Sequence, residues 1–226
     1  MINWREIDTV LLDMDGTLLD LHFDNYFWQQ QLPDVYVASQ GRDDDTVRAE
    51  LNKLFADTQG TLNWYSLDYW SEQLGLDIVT LKREIRHRIQ IRPFTEQFLQ
   101  HLQQGPQEVL LVTNAHRDTV DLKMEQVPIA HYFDHLVISH DLAAPKEQQD
   151  FWHALMKLHP FNPDRTLFID DTLSVLQAAQ DFGIAHLLTL TQPDSQQQRR
   201  LDTQFPSIHH FDEIMPPLAQ PERVIC

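Results

Sequence analysis

The stretch DTVLLDMDGTLLD, residues 8–20, decides the fold of this chain. An apolar run leads into Asp13 and Asp15, and Gly16 and Thr17 follow before the chain turns apolar again. A short, continuous apolar run bounded by turn residues is typical of a strand buried in a parallel sheet. Ligands of open α/β sheets bind beyond the carboxyl ends of the strands, which is where these two carboxylates would lie.

Four further apolar runs resemble this one, and helical patterns lie between them. Residues 94–104 and 172–182 each place apolar side chains on one helical face and stop before a glycine. This alternation predicts a doubly wound α/β fold with a mainly parallel, Rossmann-like sheet. The five predicted strands span residues 9–15, 108–114, 135–139, 166–171 and 185–190.

Residues 18–92 interrupt the alternation, because they contain amphipathic stripes but no clear buried strand. Each stripe predicts a helix whose apolar side packs into a small bundle. We therefore expect an α/β catalytic core of residues 1–17 and 93–226, and a helical cap of residues 18–92 inserted after the first strand. The stripes are Val47, Leu51, Leu54 and Phe55; Trp64, Leu67, Trp70 and Leu74; and Ile78, Leu81, Ile85 and Ile89.

Composition and charge narrow the possible partners. The 226 residues carry a formal net charge of −17, which should repel nucleic-acid backbones and anionic membrane surfaces. The sequence contains no window as long as a membrane span and no signal-peptide pattern. Its one cysteine is the last residue, Cys226, so a cytoplasmic protein is expected. A basic exception, residues 82–92, is expected to be a solvated helix face that pairs with Asp43, Asp44 and Asp45.

Reactive side chains follow four of the five predicted strands, so the fold should bring them to one edge of the sheet. Carboxylates that converge in this way repel each other, and Mg²⁺ relieves the repulsion with oxygen ligands. A lysine and a hydroxyl beside such a cation suit a phosphate group. The side chains are Asp13 and Asp15, Thr113 and Asn114, Lys146, and Asp170 and Asp171.

The spacing of Asp13 and Asp15 suits a two-step hydrolysis of a phosphate ester. A carboxylate beside Mg²⁺ and a bound phosphate is a potential nucleophile, and its attack forms an acyl phosphate. The second carboxylate can protonate the leaving oxygen and later take a proton from water. We therefore predict that Asp13 attacks and Asp15 transfers protons, while Gly16 permits the sharp exit of the chain.

In order and spacing, DMDGTLLD, VTNA, the Lys146 of APKEQ and LFIDD resemble the four motifs of the haloacid dehalogenase-like phosphohydrolases. The resemblance implies that Thr113 and Lys146 bind the phosphate. It also implies that Mg²⁺ is held by Asp13, the backbone carbonyl of Asp15, and Asp171, with Asp170 acting directly or through water. One departure is Val175, which stands where many members carry a further aspartate.

The predicted cap should select the leaving group, and its two aromatic segments are longer and more distinctive than the catalytic motifs. DMDGTLLDLHFDNYFW and LNWYSLDYWSEQLGLDI resemble segments of the bacterial GMP/IMP nucleotidase branch of the family, which implies a purine mononucleotide as substrate. We expect Asp68 to accept a hydrogen bond from the base, with Tyr65 or Tyr69 stacking on it. Asp24 is the second choice for the carboxylate, and His116 is a weaker candidate for substrate contact.

Two alternatives remain open from the sequence. One is a sugar-phosphate phosphatase or phosphoglucomutase of the same superfamily, since a mutase differs by excluding water while the intermediate survives. The other is a non-catalytic nucleotide-binding module, which the complete set of motif residues disfavours.

Overall fold

The strands form one parallel sheet, as the sequence predicts. The computed structural model describes residues 2–201 and 204–218, and in this part of the chain the sheet has six strands in the order β3-β2-β1-β4-β5-β6. All five predicted strands are present, and a short sixth strand follows them. The strands are β1 Thr9–Leu12, β2 Glu108–Thr113, β3 His135–Ile138, β4 Thr166–Ile169, β5 His186–Leu190 and β6 Ser207–Ile208.

Strand β1 lies in the middle of the sheet, paired with β2 on one side and β4 on the other. Leu12, its last residue, is level with Leu111 of β2 and Ile169 of β4. The chain first adds β2 and β3 on one side and then crosses to β4 on the other. The point where the order of strand addition reverses is the switch point of the sheet. Ligands of open parallel sheets bind there, so the carboxyl end of β1 is the expected site.

Side chains of β1 point alternately into two apolar layers. Val10 and Leu12 belong to one layer, and Leu11 belongs to the other. Helices α7 (Thr95–Gln103) and α8 (Arg117–Gln126) cover the first face, and α9 (Gln149–Leu158) and α10 (Leu173–Phe182) cover the second. Burial on both faces explains why the strands are continuous apolar runs in the sequence.

Six α-helices lie between β1 and α7, and a 3₁₀ turn, Arg86–Arg88, follows the last of them. The second predicted stripe is divided between two of them, because the chain breaks at Ser66, whose side chain caps the new helix by accepting from the Tyr69 N–H at 3.2 Å. The helices are α1 His22–Tyr26, α2 Leu32–Gln40, α3 Asp44–Thr58, α4 Leu62–Tyr65, α5 Leu67–Leu74 and α6 Ile78–Glu84, with a π-helical turn, Phe27–Gln31, joining α1 to α2. Of the helices that the structure describes, none has the length and apolar character needed to span a membrane.

The two ends of this helical segment meet beside β1. The Asp20 N–H donates to the Gln90 carbonyl at 2.9 Å, and the Arg92 N–H donates to the Leu18 carbonyl at 3.0 Å. Leu19 and Ile91 form an antiparallel bridge between these contacts. The segment therefore leaves and rejoins the sheet layer at one point.

The prediction of a solvated face over residues 82–92 is wrong at both ends of that segment. Lys82 and Arg92 are buried. Arg92 donates to the carbonyls of Pro193 at 3.0 Å and His209 at 3.1 Å, so it links this segment to the C-terminal part of the chain. Asp43 does not pair with this segment but caps α3 through Thr46.

Candidate active site

The end of β1 places Asp13 at the switch point of the sheet. The Asp13 N–H donates to the Ile169 carbonyl at 3.0 Å, which continues the pairing of β1 with β4. The chain then turns at Gly16, whose φ is +84° and whose N–H donates to the Leu19 carbonyl at 2.8 Å. A Cβ at Gly16 would lie 2.6 Å from Cγ of Asp171. Glycine is required here both for the positive φ and for the close approach.

Lys146 is buried between two of the carboxylates. Its Nζ lies 2.5 Å from Oδ1 of Asp13 and 2.7 Å from Oδ2 of Asp170, and it donates to the Val112 carbonyl at 3.1 Å. Asn114 Oδ1 holds the lysine backbone by accepting from its N–H at 2.9 Å. Burial opposes the charged form, but the two carboxylates outweigh it and raise the pKa of Lys146 above its usual value. The lysine is therefore a fixed cation beside Asp13.

Three carboxylates meet at this point. Oxygens of Asp13, Asp170 and Asp171 all lie within 4.8 Å of one another. Burial, helped by the neighbouring acidic charges, raises the pKa of Asp13 well above its usual value. Burial and the charge of Asp170 raise the pKa of Asp171 to about 7. Oδ2 of Asp13 is buried and has no hydrogen-bond partner among the described residues. An unpaired oxygen within a carboxylate cluster fits a hard divalent cation. Such a cation would offset the repulsion between the carboxylates and would give the unpaired oxygen a partner.

Asp15 is held by a network of buried charges. Lys123 of α8 contacts Oδ1 of Asp15 and lies 2.5 Å from Oδ2 of Asp24 in α1. The other oxygen of Asp24 lies 2.9 Å from Nζ of Lys82 in α6. Burial opposes the charged form of Asp24, but Lys123 and Lys82 lower its pKa to about 2. Two lysines and two aspartates thus link the helical segment to the end of β1.

Sequence reasoning missed both lysines of this network, although their spacing carries a signal. Lys82 is four residues after Ile78 and three before Ile85, so a helix places it on the apolar side of α6. Lys123 is three residues after Val120, so a helix places it on an apolar side of α8 as well. A lysine on an apolar helix face needs a buried carboxylate partner, and that requirement could have identified Asp15 and Asp24 as the partners.

Side chains from the end of β1 and from the helical segment line one cavity of about 330 Å³. Its size falls in the range of small-molecule sites. The wall is aromatic, and Trp28 stacks on Trp64 with ring centres 6.4 Å apart. The floor contains Asp13, Asp15, Thr113, Asn114, Lys146 and Asp171, and the aromatic wall contains Trp28, Phe55, Trp64 and Tyr65. A charged floor under an aromatic wall suits a ligand with an anionic end and a flat apolar end.

Most of the predicted site residues line this cavity, and a few lie elsewhere. Tyr65 lines it and donates a 2.5 Å hydrogen bond to Glu147, a residue that the sequence analysis did not single out. Asp170 lies behind the floor, beside Lys146. His116 reaches the rim. Asp68 lies outside the cavity, with a side chain 84% exposed and its carboxylate 3.7 Å from His116, so it does not face a ligand bound there.

Known proteins resemble this chain in sequence and in fold. The haloacid dehalogenase-like hydrolase family matches residues 7–183. The chain belongs to the haloacid dehalogenase-like hydrolases. This hydrolase is 42% identical over 217 residues to the GMP/IMP nucleotidase YrfG of Escherichia coli K12, covering 96% of this chain and 98% of the relative. The Shigella flexneri protein of the same name is similar to the same extent.

Solved structures agree on the fold. This hydrolase resembles an HAD phosphatase from Thermococcus onnurineus with a TM-score of 0.75 at 19% identity, covering 92% of this chain and 95% of that one. At this level of identity the likeness is one of architecture. The near-full-length relatives are therefore the comparison that bears on the substrate.

Proposed function

We propose that this hydrolase is a Mg²⁺-dependent phosphatase that works through a phosphoaspartate on Asp13, and that it acts as a 5′-nucleotidase on GMP and IMP. The proposal is carried by the joint position of Asp13, Asp15, Thr113 and Lys146 on the floor of one cavity with an aromatic wall. The 42% identity to a GMP/IMP nucleotidase over nearly the whole chain supports the substrate class.

In the first step, a carboxylate oxygen of Asp13 attacks phosphorus and the bond from phosphorus to the ester oxygen breaks. Lys146, held beside Asp13, neutralises charge on the phosphate oxygens, and the Thr113 hydroxyl donates to one of them. Asp15 gives its proton to the leaving oxygen of the nucleoside. Burial raises the pKa of Asp15, which favours the protonated form needed for this transfer.

In the second step, water attacks phosphorus and frees Asp13. Asp15, now ionised, takes the proton of that water, so each turnover returns both carboxyl groups to their starting forms. The net reaction converts a nucleoside monophosphate and water into a nucleoside and inorganic phosphate.

Asp13, Asp171 and Asp170 would hold the metal, together with the backbone carbonyl of Asp15. Bound there, Mg²⁺ would neutralise the clustered carboxylates and polarise the phosphate. The Asp13 oxygen without a hydrogen-bond partner is the observation that supports this assignment. We further propose a cytoplasmic location, since a chain with one cysteine suits a reducing compartment.

The decisive experiment measures phosphate release from GMP, IMP, AMP, CMP, UMP and glucose 1-phosphate, with MgCl₂ and after EDTA treatment. We expect the highest kcat/KM for GMP and IMP, and loss of activity with EDTA that MgCl₂ restores. A preference for glucose 1-phosphate would point to the sugar-phosphate alternative, and isomerised sugar in place of free phosphate would identify a mutase. No turnover of any ester would favour the binding module.

A further inference from the structure

Lys82 is a buried cation in the wall of the substrate cavity. Its side chain is 2% exposed, and it comes from α6, in the helical segment between β1 and α7. The catalytic steps proposed above do not use it. An ammonium group has three donors, and among the described residues Oδ1 of Asp24 is the hydrogen-bond acceptor found for it.

The remaining surroundings of this ammonium group are aromatic. Nζ lies 5.1 Å from the ring centre of Phe23, 5.0 Å from Phe27 and 5.5 Å from Trp28. These rings stabilise the cation but accept no directed hydrogen bond of ordinary strength. Because burial of a charge with donors left over is costly, a ligand acceptor in the cavity would be strongly favoured.

The position of Lys82 relative to the floor indicates which part of a ligand it meets. The network runs from Asp15 through Lys123 and Asp24 to Lys82, so it leads from the proton-transfer group toward the aromatic wall. A phosphate held at Asp13 and Lys146 has its leaving group on the Asp15 side. Trp28 and Lys82 line the same cavity beyond Asp15, so they are available to the far end of that leaving group.

We propose that Lys82 recognises the 6-oxo group of the purine base by donating a hydrogen bond to O6. This inference rests on the proposed function and names its base-specificity residue. Guanine presents an acceptor at O6, hypoxanthine carries the same carbonyl, and adenine presents an amino donor at that position. A donor on Lys82 thus pairs with GMP and IMP, whereas AMP places a donor against a donor.

The sequence analysis expected a carboxylate to recognise the base, whereas the structure favours the ammonium group of Lys82. Asp68, the first candidate from the sequence, lies outside the cavity. Asp24, the second candidate, faces a lysine with each of its oxygens. Burial lowers the pKa of Lys82, and the charge of Asp24 opposes that shift, so the task of Asp24 is to favour the ionised form and to orient it.

The test is the ratio of kcat/KM for IMP to that for AMP in the wild type and in Lys82→Met. We expect the ratio to fall about 10- to 100-fold in the variant, corresponding to about 1.4–2.7 kcal/mol at 1.36 kcal/mol per decade. Lys53→Met is the matched control, since Lys53 belongs to α3 of the same segment and its side chain is 76% exposed. It should keep the wild-type ratio. An unchanged ratio in Lys82→Met would overturn the inference and assign the ammonium to N7 or the ribose, which all purine nucleotides share.

A second measurement uses the wild type alone and does not depend on folding of the variant. Purine riboside 5′-monophosphate lacks the 6-oxo group, and we expect its kcat/KM to be at least about tenfold below that of IMP. Equal values would refute a contact with O6. A wild-type preference for glucose 1-phosphate over both GMP and IMP would instead refute the proposed function, and this outcome is distinct from failure of the Lys82 inference.

Discussion

The Tyr65 hydroxyl donates a 2.5 Å hydrogen bond to Oε1 of Glu147, the residue that follows Lys146. The other oxygen of Glu147 accepts from the side-chain amide of Asn114 at 2.9 Å. One carboxylate therefore connects the aromatic wall of the cavity to the loop that carries Lys146. Burial and Glu147 raise the pKa of Tyr65, so its hydroxyl remains a donor at every working pH.

Tyr65→Phe should lower kcat/KM for IMP about tenfold, which corresponds to about 1.4 kcal/mol of transition-state stabilisation. The reason is that a hydrogen bond to a carboxylate aligns the wall with the loop of Lys146. Steady-state kinetics measure the effect. Tyr69→Phe is the matched control, because the Tyr69 ring packs on Trp70 with centres 5.1 Å apart and lies outside the cavity. Equal kinetics in both variants would refute a role for this contact.

Asp13→Asn should reduce kcat to less than about a thousandth, or by at least about 4 kcal/mol of barrier, since an amide is a poor nucleophile toward phosphorus. Phosphate release measures the loss, and circular dichroism checks the fold. Asp8→Asn is the control at the opposite end of β1, where Asp8 pairs with Arg165 on the surface. An Asp13→Asn enzyme that keeps more than about a tenth of wild-type kcat would exclude the covalent route.

Mg²⁺ should stabilise the protein more at pH 8 than at pH 6. The pKa of Asp171 is about 7 in the metal-free protein, against 3.8 for an ordinary aspartate. Between those values the folded state holds a proton that the unfolded state has lost, so stability of the metal-free protein falls as pH rises through this window. Mg²⁺ displaces that proton, so its apparent Kd should be about tenfold weaker at pH 6.

Thermal unfolding with and without MgCl₂ at the two pH values measures this difference. In Asp171→Asn, the stabilisation by MgCl₂ should disappear at both values, because the variant removes a proposed ligand. The same MgCl₂-dependent rise in Tm at pH 6 and pH 8 in the wild type would contradict the assignment of Asp171 as a ligand that must lose a proton.

Gly16→Ala should abolish most activity and Mg²⁺ binding, because the new methyl group would lie 2.6 Å from Cγ of Asp171. Gly75→Ala separates this clash from backbone strain. Gly75 also has a positive φ, +64°, but a Cβ there would meet no atom within 4 Å among the described residues. We expect Gly75→Ala to cost about 1 kcal/mol of stability and no activity. Similar kinetics of the two variants would show that the approach to Asp171 is unimportant.

Lys123→Met should lower the free energy of unfolding by about 3–5 kcal/mol, because it leaves Asp15 and Asp24 buried without their shared cation. Denaturant unfolding measures the loss. Lys53→Met is again the control and should change stability little, since its ion pair with Asp57 is exposed. A small loss in Lys123→Met would mean that the buried network contributes little to holding the helical segment in place.

The sheet was predictable from sequence because its strands are buried on both faces. Val10, Leu11 and Leu12 must all be apolar in that setting, and the helix-ending Gly183 marks where α10 stops. The floor of the cavity was predictable for a related reason. The carboxyl ends of parallel strands lie along one edge of the sheet, so Asp13 and Asp171 come together independently of the loop conformations.

The wall of the cavity was less predictable, because it depends on how helices cross rather than on strand order. Periodicity indicates that Trp64 and Trp70 are apolar positions, but it does not determine that Trp64 faces the cavity while Trp70 is fully buried. Asp68 was chosen from its closeness in sequence to Tyr65, and the turn at Ser66 rotates the two apart. The sequence analysis placed Lys82 in solvent because it belongs to a run of basic residues. Its position on the apolar side of α6 was the better guide.

The hydrogen bond from the Asp20 N–H to the Gln90 carbonyl joins the two ends of the helical segment beside β1. Relative to the sheet, residues 20–90 therefore form one closed loop. The entropy lost on closing a loop grows only with the logarithm of its length, so doubling the segment would cost about 0.6 kcal/mol. Evolution could therefore lengthen, shorten or replace this segment with little penalty to the sheet, and so reshape the wall of the cavity while its floor at the end of β1 stays the same.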